Sequence, residues 1–461
     1  MSPRNLVWLI AVPAFVAIGL AIGYSAPAPD KDYKLVRQIV DVLAEVDANY
    51  VRELSDDDRQ KLVEDMIDGG LHHLDPHSEY LNAARLKEFE TTSEGSFGGV
   101  GITLGYDAKK QLKVDSPMPG TPAYNAGVVA GDLIVKVEGE STDGWTIETA
   151  KKKITGPVNT PVTLTLRRDG KGEFPVTLAR GRIEMHPVGG VARQKADPLK
   201  WDWFVDPQAK IALVRISTFS ELTSKELRAA VTEIEAAGGR GLILDLRDNP
   251  GGLLSEAVAV ADMFLPGGRI VATRDRRGNE RAFDAKRDGT VFQPTPDNPR
   301  PIVVLVNRNS ASASEIVAAA LADHNRALVV GERTFGKGSV QKLLRLPHAD
   351  PPAAVKLTTE TYWRPSGKNI HRYPDAKEAD DWGVRPSPGL EVPTTEEERL
   401  RYAVEARRLD FVAGRPDVVG PNPPAAPMPK TADGRPLFDD SKPFEDRVLQ
   451  RAVEEIRGKL R

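Results

Sequence analysis

Residues 301–341 read PIVVLVNRNSASASEIVAAALADHNRALVVGERTFGKGSVQ. The apolar run Ile302–Val306 has the length and β-branched content of a buried parallel strand. A polar loop follows, and the small-residue run from Ala313 to about Asp323 predicts a helix. Ala327–Val330 predicts a second short strand, which opens into a glycine-rich loop carrying Lys337. In such a β-loop-α-β-loop unit both loops lie at the carboxyl ends of neighbouring strands, where open α/β sheets place their sites. Ser312 and Lys337 are 25 residues apart in sequence, but this topology can bring them together.

A serine hydroxyl is a weak nucleophile until a base takes its proton. A lysine amine can be that base only when neutral, which means lowering its pKa from about 10.4 to roughly 7–8. That change corresponds to roughly 4 kcal/mol, which burial in an apolar wall can supply. Val329, Val330 and Phe335 flank the loop as candidates for the wall. Ser312 opens the helix, where unpaired N–H groups and the dipole favour developing negative charge, so the Ala313 N–H is a natural oxyanion donor. Gln341 can accept a hydrogen bond from the lysine amine, and Glu315, one helical turn beyond Ser312, can share in the polar network.

Other readings of the stretch are weaker. Gly331-x4-Gly336-Lys337 is close to a phosphate-binding loop, but Gly338 stands where a magnesium-binding Ser or Thr is needed. Ser339-x-x-Lys342 has the SxxK spacing of penicillin-binding enzymes without a KTG partner. The plain alternative is a small-residue helix packed on a sheet with Lys337 solvated. His324, the one histidine that competes as base, falls near the far end of the helix, about 18 Å from Ser312 at 1.5 Å per residue, and reads as surface or structural.

SASASEI followed by GERTFGKGSVQ resembles the C-terminal processing peptidases, also called tail-specific serine proteases. The resemblance implies Ser312 as nucleophile, Lys337 as base and Gln341 as its helper, on an α/β core of the ClpP/crotonase type, with no metal or cofactor. Upstream, Ile211–Ile216 predicts a strand, Ser224–Ala237 a helix, and Leu242–Leu246 a buried strand running into Arg247-Asp248-Asn249-Pro250-Gly251-Gly252 before the helix Leu253–Phe264. A Gly-Gly turn between strand and helix exposes backbone N–H groups. In the family this segment supplies the second oxyanion donor, here Gly251 or Gly252. Residues 354–372 and the run Trp382–Pro386 continue the resemblance, which covers roughly residues 35–410.

Residues 95–182 alternate strand and turn signals and resemble a PDZ domain, the order ending in AGDLIVKVEGE and two closing strands. Its carboxylate-binding loop would be Gly99-Val100-Gly101-Ile102. Glycines leave N–H groups free to nest a terminal carboxylate while the next strand pairs with the peptide. Ile102 and Leu104, with Ile147 and Ala150 on the helix, would form the side-chain pocket.

The chain has 461 residues, enough for two or three domains. A net charge of −3 gives no basic field for nucleic acid. The absence of cysteine excludes disulfides and a thiol nucleophile. Arg4 precedes an uncharged run from Asn5 to Pro29, long enough for a membrane span or signal sequence, with the basic end inside and the remainder exported. Helical spacing fills 32–89, with Ser55 as an N-cap. His72, His73 and His77 crowd the turn that follows, and LDPHSEYL there resembles a metal-free inter-helix turn of the family. Arg415–Pro429 reads as an extended linker and Phe444–Leu460 as an amphipathic helix that docks on its own protein or a second subunit.

The expected architecture is multidomain α+β. An anchor occupies 1–29, a helical region 30–94, the PDZ domain 95–185, the peptidase domain 186–410, a proline-rich linker 411–440 and a helix 441–461. The expected activity is that of an envelope-located serine endopeptidase, membrane-tethered or secreted after signal cleavage, acting on exposed apolar C-termini. A homodimer or an adaptor protein is an expected partner, and nucleic acid is not. The alternative is a catalytically silent PDZ scaffold of the same fold.

Overall fold

The computed structural model describes residues 31–418, 438 and 443–461. The expected anchor, 1–29, and most of the expected linker lie outside the described residues. Among the described residues no helix is long and apolar enough to cross a membrane. The chain divides between Leu74 and Asp75 into two compact units.

The first unit holds α1 (Lys31–Asn49) and α2 (Asp56–Leu74). Ser55 caps α2 as its sequence predicts: Asp58 N–H donates to Ser55 Oγ at 3.1 Å, and three aspartates fill the first turn. Leu35, Ile39 and Val42 have helical spacing yet stay exposed, because two helices alone provide no layer to cover them.

Residues 75–94, expected to continue this helical region, belong to the second unit. They form β1 (Glu79–Leu81) and α3 (Ala83–Glu94), capped by Asn82, whose Oδ1 accepts from Arg85 N–H at 3.1 Å. Next come β2 (Ser96–Gly99), β3 (Ile102–Tyr106), β4 (Leu112–Pro117), β5 (Leu133–Val137), α4 (Ile147–Ile154), β6 (Pro161–Arg168), β7 (Gly172–Ala179) and β8 (Gly181–Glu184). Strands β3-β4-β5-β6-β7 form one antiparallel sheet, while β2 pairs with β8. Alternate residues Val162, Leu164 and Leu166 of β6 point into a core shared with Ile134, Val137, Ala150 and Ile154.

The chain continues with β9 (Val188–Gly189), β10 (Phe204–Asp206), β11 (Ile211–Ile216), α5 (Thr223–Ala236), β12 (Gly241–Asp245), α6 (Leu254–Asp262), β13 (Gly268–Asp275) and β14 (Glu280–Ala285). It is completed by β15 (Ile302–Val306), α7 (Ala313–Asp323), β16 (Ala327–Gly331), β17 (Ser339–Arg345), β18 (Ala354–Trp363), α8 (Glu396–Arg408) and α9 (Arg447–Leu460). Strands β11, β12, β15 and β16 lie side by side in parallel. The alternation of β15 decides what covers each face. Val304 and Val306 meet α5, α6 and α7, whereas Val303 and Leu305 meet Val448, Ala452 and Ile456 of α9. The C-terminal helix thus docks on its own chain.

A second, antiparallel sheet runs β1-β18-β13-β14, with β17 also on β18. The expected linker does not begin at 411. Phe411 and Val412 are buried, Val412 N–H donates to Ser116 Oγ at 2.9 Å, and Ala130 N–H donates to Ala413 O at 2.7 Å. Phe411 packs with Val404 of α8 and with Phe438, while the backbone at 412–413 bonds to the β domain, so burial of these apolar side chains holds the segment in place.

Candidate active site

Three loops leave the carboxyl ends of β12, β15 and β16 and converge. The first two are laced together. Ala311 N–H and Ser314 Oγ both donate to Asn249 O at 3.0 Å, and Ser310 Oγ donates to Leu246 O at 2.7 Å. Asn307 Nδ2 and Asn309 Nδ2 donate to Asp248 Oδ1 at 2.9 and 2.8 Å. The third loop joins through Phe335 N–H, which donates to Ser310 O at 3.0 Å.

Ser312 is the N-cap of α7 and lies at φ 54°, ψ −113°. A non-glycine residue at such an angle costs on the order of 1–3 kcal/mol and persists only where its surroundings hold it. Glu315 does the holding. Its carboxylate, fully buried, accepts Ser312 N–H and Lys337 N–H on Oε2, both at 2.8 Å. Its Oε1 accepts Gly336 N–H at 2.7 Å and Thr334 Oγ1 at 2.5 Å. Burial pushes the Glu315 carboxyl up to about 7 against those four hydrogen bonds. The residue expected to share in the network is its centre.

Lys337 is largely enclosed. Burial, and next the positive Lys356, push its amine below the usual lysine range, against the opposing pull of Glu315, Glu79 and Asp75. Of the residues expected to wall it, Val329 and Val330 are buried, whereas Phe335 is half exposed and turns to solvent. Among the described residues no hydrogen bond joins Ser312 Oγ to Lys337 Nζ. Gln341, expected to accept from that amine, donates its Nε2 to Ser339 Oγ at 2.9 Å and Thr358 Oγ1 at 3.0 Å, and its Oε1 makes no hydrogen bond with Lys337 among the described residues. The register of β17 against β18 sets Gln341 opposite Thr358, which explains the partner.

The oxyanion candidates separate. A Cβ on Gly251 would lie 2.8 Å from Ala311 O and Ser312 Cβ and 3.0 Å from Ala313 N, so this glycine lets the first loop approach the serine. Its N–H is already donated to Asn249 Oδ1 at 2.8 Å. The N–H groups of Gly252 and Ala313 have no acceptor among the described residues.

The sequence reading assigns Tyr362 no role. It is buried beside Ser312, and burial pushes its hydroxyl up to about 12. It lies in the segment 354–372, and only the pairing of β18 with β13 and β17 brings it beside Ser312. His324 is structural, its ring nitrogen hydrogen-bonded with Arg269 O at 2.7 Å.

In the β domain, Gly101 has φ 78° and packs against Thr121, where a Cβ would clash at 2.3 Å. The N–H groups of Val100 and Gly101 have no acceptor among the described residues, as a carboxylate nest needs. Ile102, Leu104 and Ile147 are partly exposed along the groove between β3 and α4. Ala150 is fully buried in the core and does not line the groove. Tyr106 closes the groove's far end: its hydroxyl accepts Ile147 N–H at 3.0 Å.

Known proteins resemble this chain. Residues 210–381 match the model for peptidase family S41, and residues 113–168 match the PDZ domain model. The chain is similar to the carboxy-terminal-processing protease of Bartonella bacilliformis, with 35% identity over 93% of this chain and 89% of that protein. It is similar to the carboxy-terminal processing protease CtpA of Bacillus subtilis, with 33% identity over 76% of this chain and 67% of that protein. Among solved structures it is similar to the photosystem II D1 C-terminal processing protease, with 29% identity, 81% of this chain and 97% of that chain covered, and a TM-score of 0.40. The chain belongs to peptidase family S41 and is a serine peptidase of the carboxy-terminal-processing type.

Proposed function

We propose that Ser312 is the nucleophile and Lys337 the general base of an endopeptidase that captures protein C-termini with its PDZ domain. One observation carries this reading: a single carboxylate oxygen, Glu315 Oε2, holds the backbone of both residues at 2.8 Å. The nucleophile and the base loop are therefore registered to each other across neighbouring strands.

The neutral Lys337 amine takes the Ser312 proton as Oγ bonds to the scissile carbonyl carbon. The oxyanion is received by Ala313 N–H and the Gly251–Gly252 turn, where Gly252 has the unengaged donor. Lys337 then passes the proton to the departing amine as the C–N bond breaks. Water, deprotonated by Lys337, hydrolyses the acyl-enzyme, and the proton returns to Ser312. Gln341 supports Lys337 in this cycle. The free N–H groups of Val100 and Gly101 receive the peptide carboxylate, and Ile102, Leu104 and Ile147 receive its last apolar side chain. Because Ser312 and Lys337 are not hydrogen-bonded in this state, peptide capture is the event that closes the pair.

The apolar run within 1–29 supports tethering to a membrane, with the remainder on the outer side, in the cell envelope. The exposed apolar face of α1 supports a second copy of the chain as its partner, and sedimentation of the full chain tests this. For the activity, the full chain is incubated with an unstructured protein ending in apolar residues, beside Ser312→Ala and Lys337→Ala. Cleavage by the parent alone is expected. Cleavage by either variant at the parental rate would sink the assignment.

A further inference from the structure

Gln341 shares a chain of hydrogen bonds with a residue that lies far away in sequence. The Asp75 carboxylate accepts His77 N–H at 2.8 Å, Ser78 N–H at 3.0 Å and Thr358 Oγ1 at 3.1 Å on Oδ1, and Ser78 Oγ at 2.6 Å on Oδ2. Ser78 Oγ in turn accepts Thr358 N–H at 3.0 Å. Thr358 Oγ1 then accepts Gln341 Nε2 at 3.0 Å.

The direction of these bonds is forced. Burial pushes the Asp75 carboxyl up, but its hydrogen bonds outweigh that and hold it below the usual carboxylate range. An ionised carboxylate only accepts. Thr358 must spend its single hydroxyl proton on Asp75 and can therefore only accept from Gln341. That fixes the Gln341 amide with its NH2 toward Thr358 and Ser339, and it leaves Oε1 as the open acceptor. A neutral or protonated lysine amine offers donors, so only this orientation of the amide serves Lys337.

We propose that Asp75 and Thr358 are positioning residues that set the Gln341 amide with its oxygen available to Lys337. The segment Asp75–Leu81, which continues into β1 on the edge of β18, thereby completes the base side of the active site. This rests on the Ser312–Lys337 reading.

The test uses the full chain with a chromogenic peptide ending in apolar residues. Asp75→Ala and Thr358→Val are each expected to lower kcat about tenfold, with KM within about twofold, the effect of one lost hydrogen bond. Asp75→Asn keeps an acceptor at Oδ1, and Thr358→Ser keeps the hydroxyl, so both are expected within about threefold of the parent. The double variant Asp75→Ala/Thr358→Val should also stand at about tenfold, because the two residues act as one relay. A hundredfold loss in the double variant, or Thr358→Val at parental kcat, overturns the proposal. So does Asp75→Asn as impaired as Asp75→Ala, because charge rather than orientation would then be the cause. If Asp75→Ala fails to fold, Thr358→Val against Thr358→Ser decides alone. Ser312→Ala and Lys337→Ala run alongside: full activity in either defeats the dyad, whereas their inactivity beside an unaffected Thr358→Val defeats only the relay.

Discussion

Glu315→Gln keeps the volume of a fully buried side chain and removes its charge and one acceptor end. Four donors point at the native carboxylate. If the amide NH2 replaces Oε2, both Ser312 N–H and Lys337 N–H lose their acceptor. If it replaces Oε1, Gly336 N–H is orphaned, and Thr334 Oγ1 has one lone pair left, since it already accepts Val384 N–H at 2.7 Å. In both cases the bonds that remain lose their charge assistance, and such bonds contribute about 1.5–3 kcal/mol each. Ser312 sits at φ 54°, a conformation costing on the order of 1–3 kcal/mol that its bond to Glu315 offsets. Losing that bond outright costs about 1.5–3 kcal/mol and depopulates the productive serine geometry by roughly 10- to 150-fold, and losing only its charge assistance, about half as much, does so by roughly 4- to 12-fold. The expected result at pH 8 is a fall in kcat of that size. The change in melting temperature should be small, because removing a buried charge offsets part of the lost hydrogen bonding. Kinetics on a C-terminally apolar peptide with a thermal melt of the same sample measure both. A kcat within threefold of the parent would refute the view that Glu315 holds the nucleophile.

Gly251→Ala would push a methyl to within 3.0 Å of Ala313 N; kcat is expected to drop on the order of a hundredfold, the size of losing an oxyanion donor, with KM near the parent. Lys356→Met removes the positive neighbour that helps lower the Lys337 amine, so Lys337 holds its proton to higher pH and the acid limb of the kcat–pH profile moves to higher pH; a profile that stays put or moves down counts against Lys337 as the titrating base. Asp446→Ala uncaps α9 and removes one of two carboxylates on the buried Arg247, which Asp446 grips at 2.8 Å through both oxygens; a loss of about 3 kcal/mol, or roughly 6–12 °C in melting temperature, is expected by calorimetry.

The parallel core was legible because its elements are local. Ile302–Val306, Ala313–Asp323 and Ile211–Ile216 fall where apolar runs and small-residue periodicity put them. Ser312 and Lys337 were legible for the same reason: parallel strands with a short crossover bring their carboxyl-end loops together. What sequence did not supply were contacts made over long separations, by antiparallel pairing or by docking of the last helix. Asp75 reaches Thr358 across 283 positions, and Arg247 reaches Asp446 across 199. Neither pair leaves a periodic trace. Phe335 was misjudged because an aromatic beside a buried loop can point either way. The burial of Ala150 follows from its small size at a helix–sheet contact, where a larger residue would have lined the groove.

The docking of α9 has a consequence for how the enzyme comes into being. Val303, Leu305 and Ile243 are covered by Val448, Ala452 and Ile456, which are translated more than a hundred residues after β15. Until they emerge, one face of the central sheet is open to water and to chaperones. Arg247, five residues before Gly252, lacks Asp446 for the same interval. A nascent chain that has already made Ser312 and Lys337 therefore still has an unsupported turn at 247–252. The order of synthesis would leave the turn beside Ser312 unset until the last helix has docked.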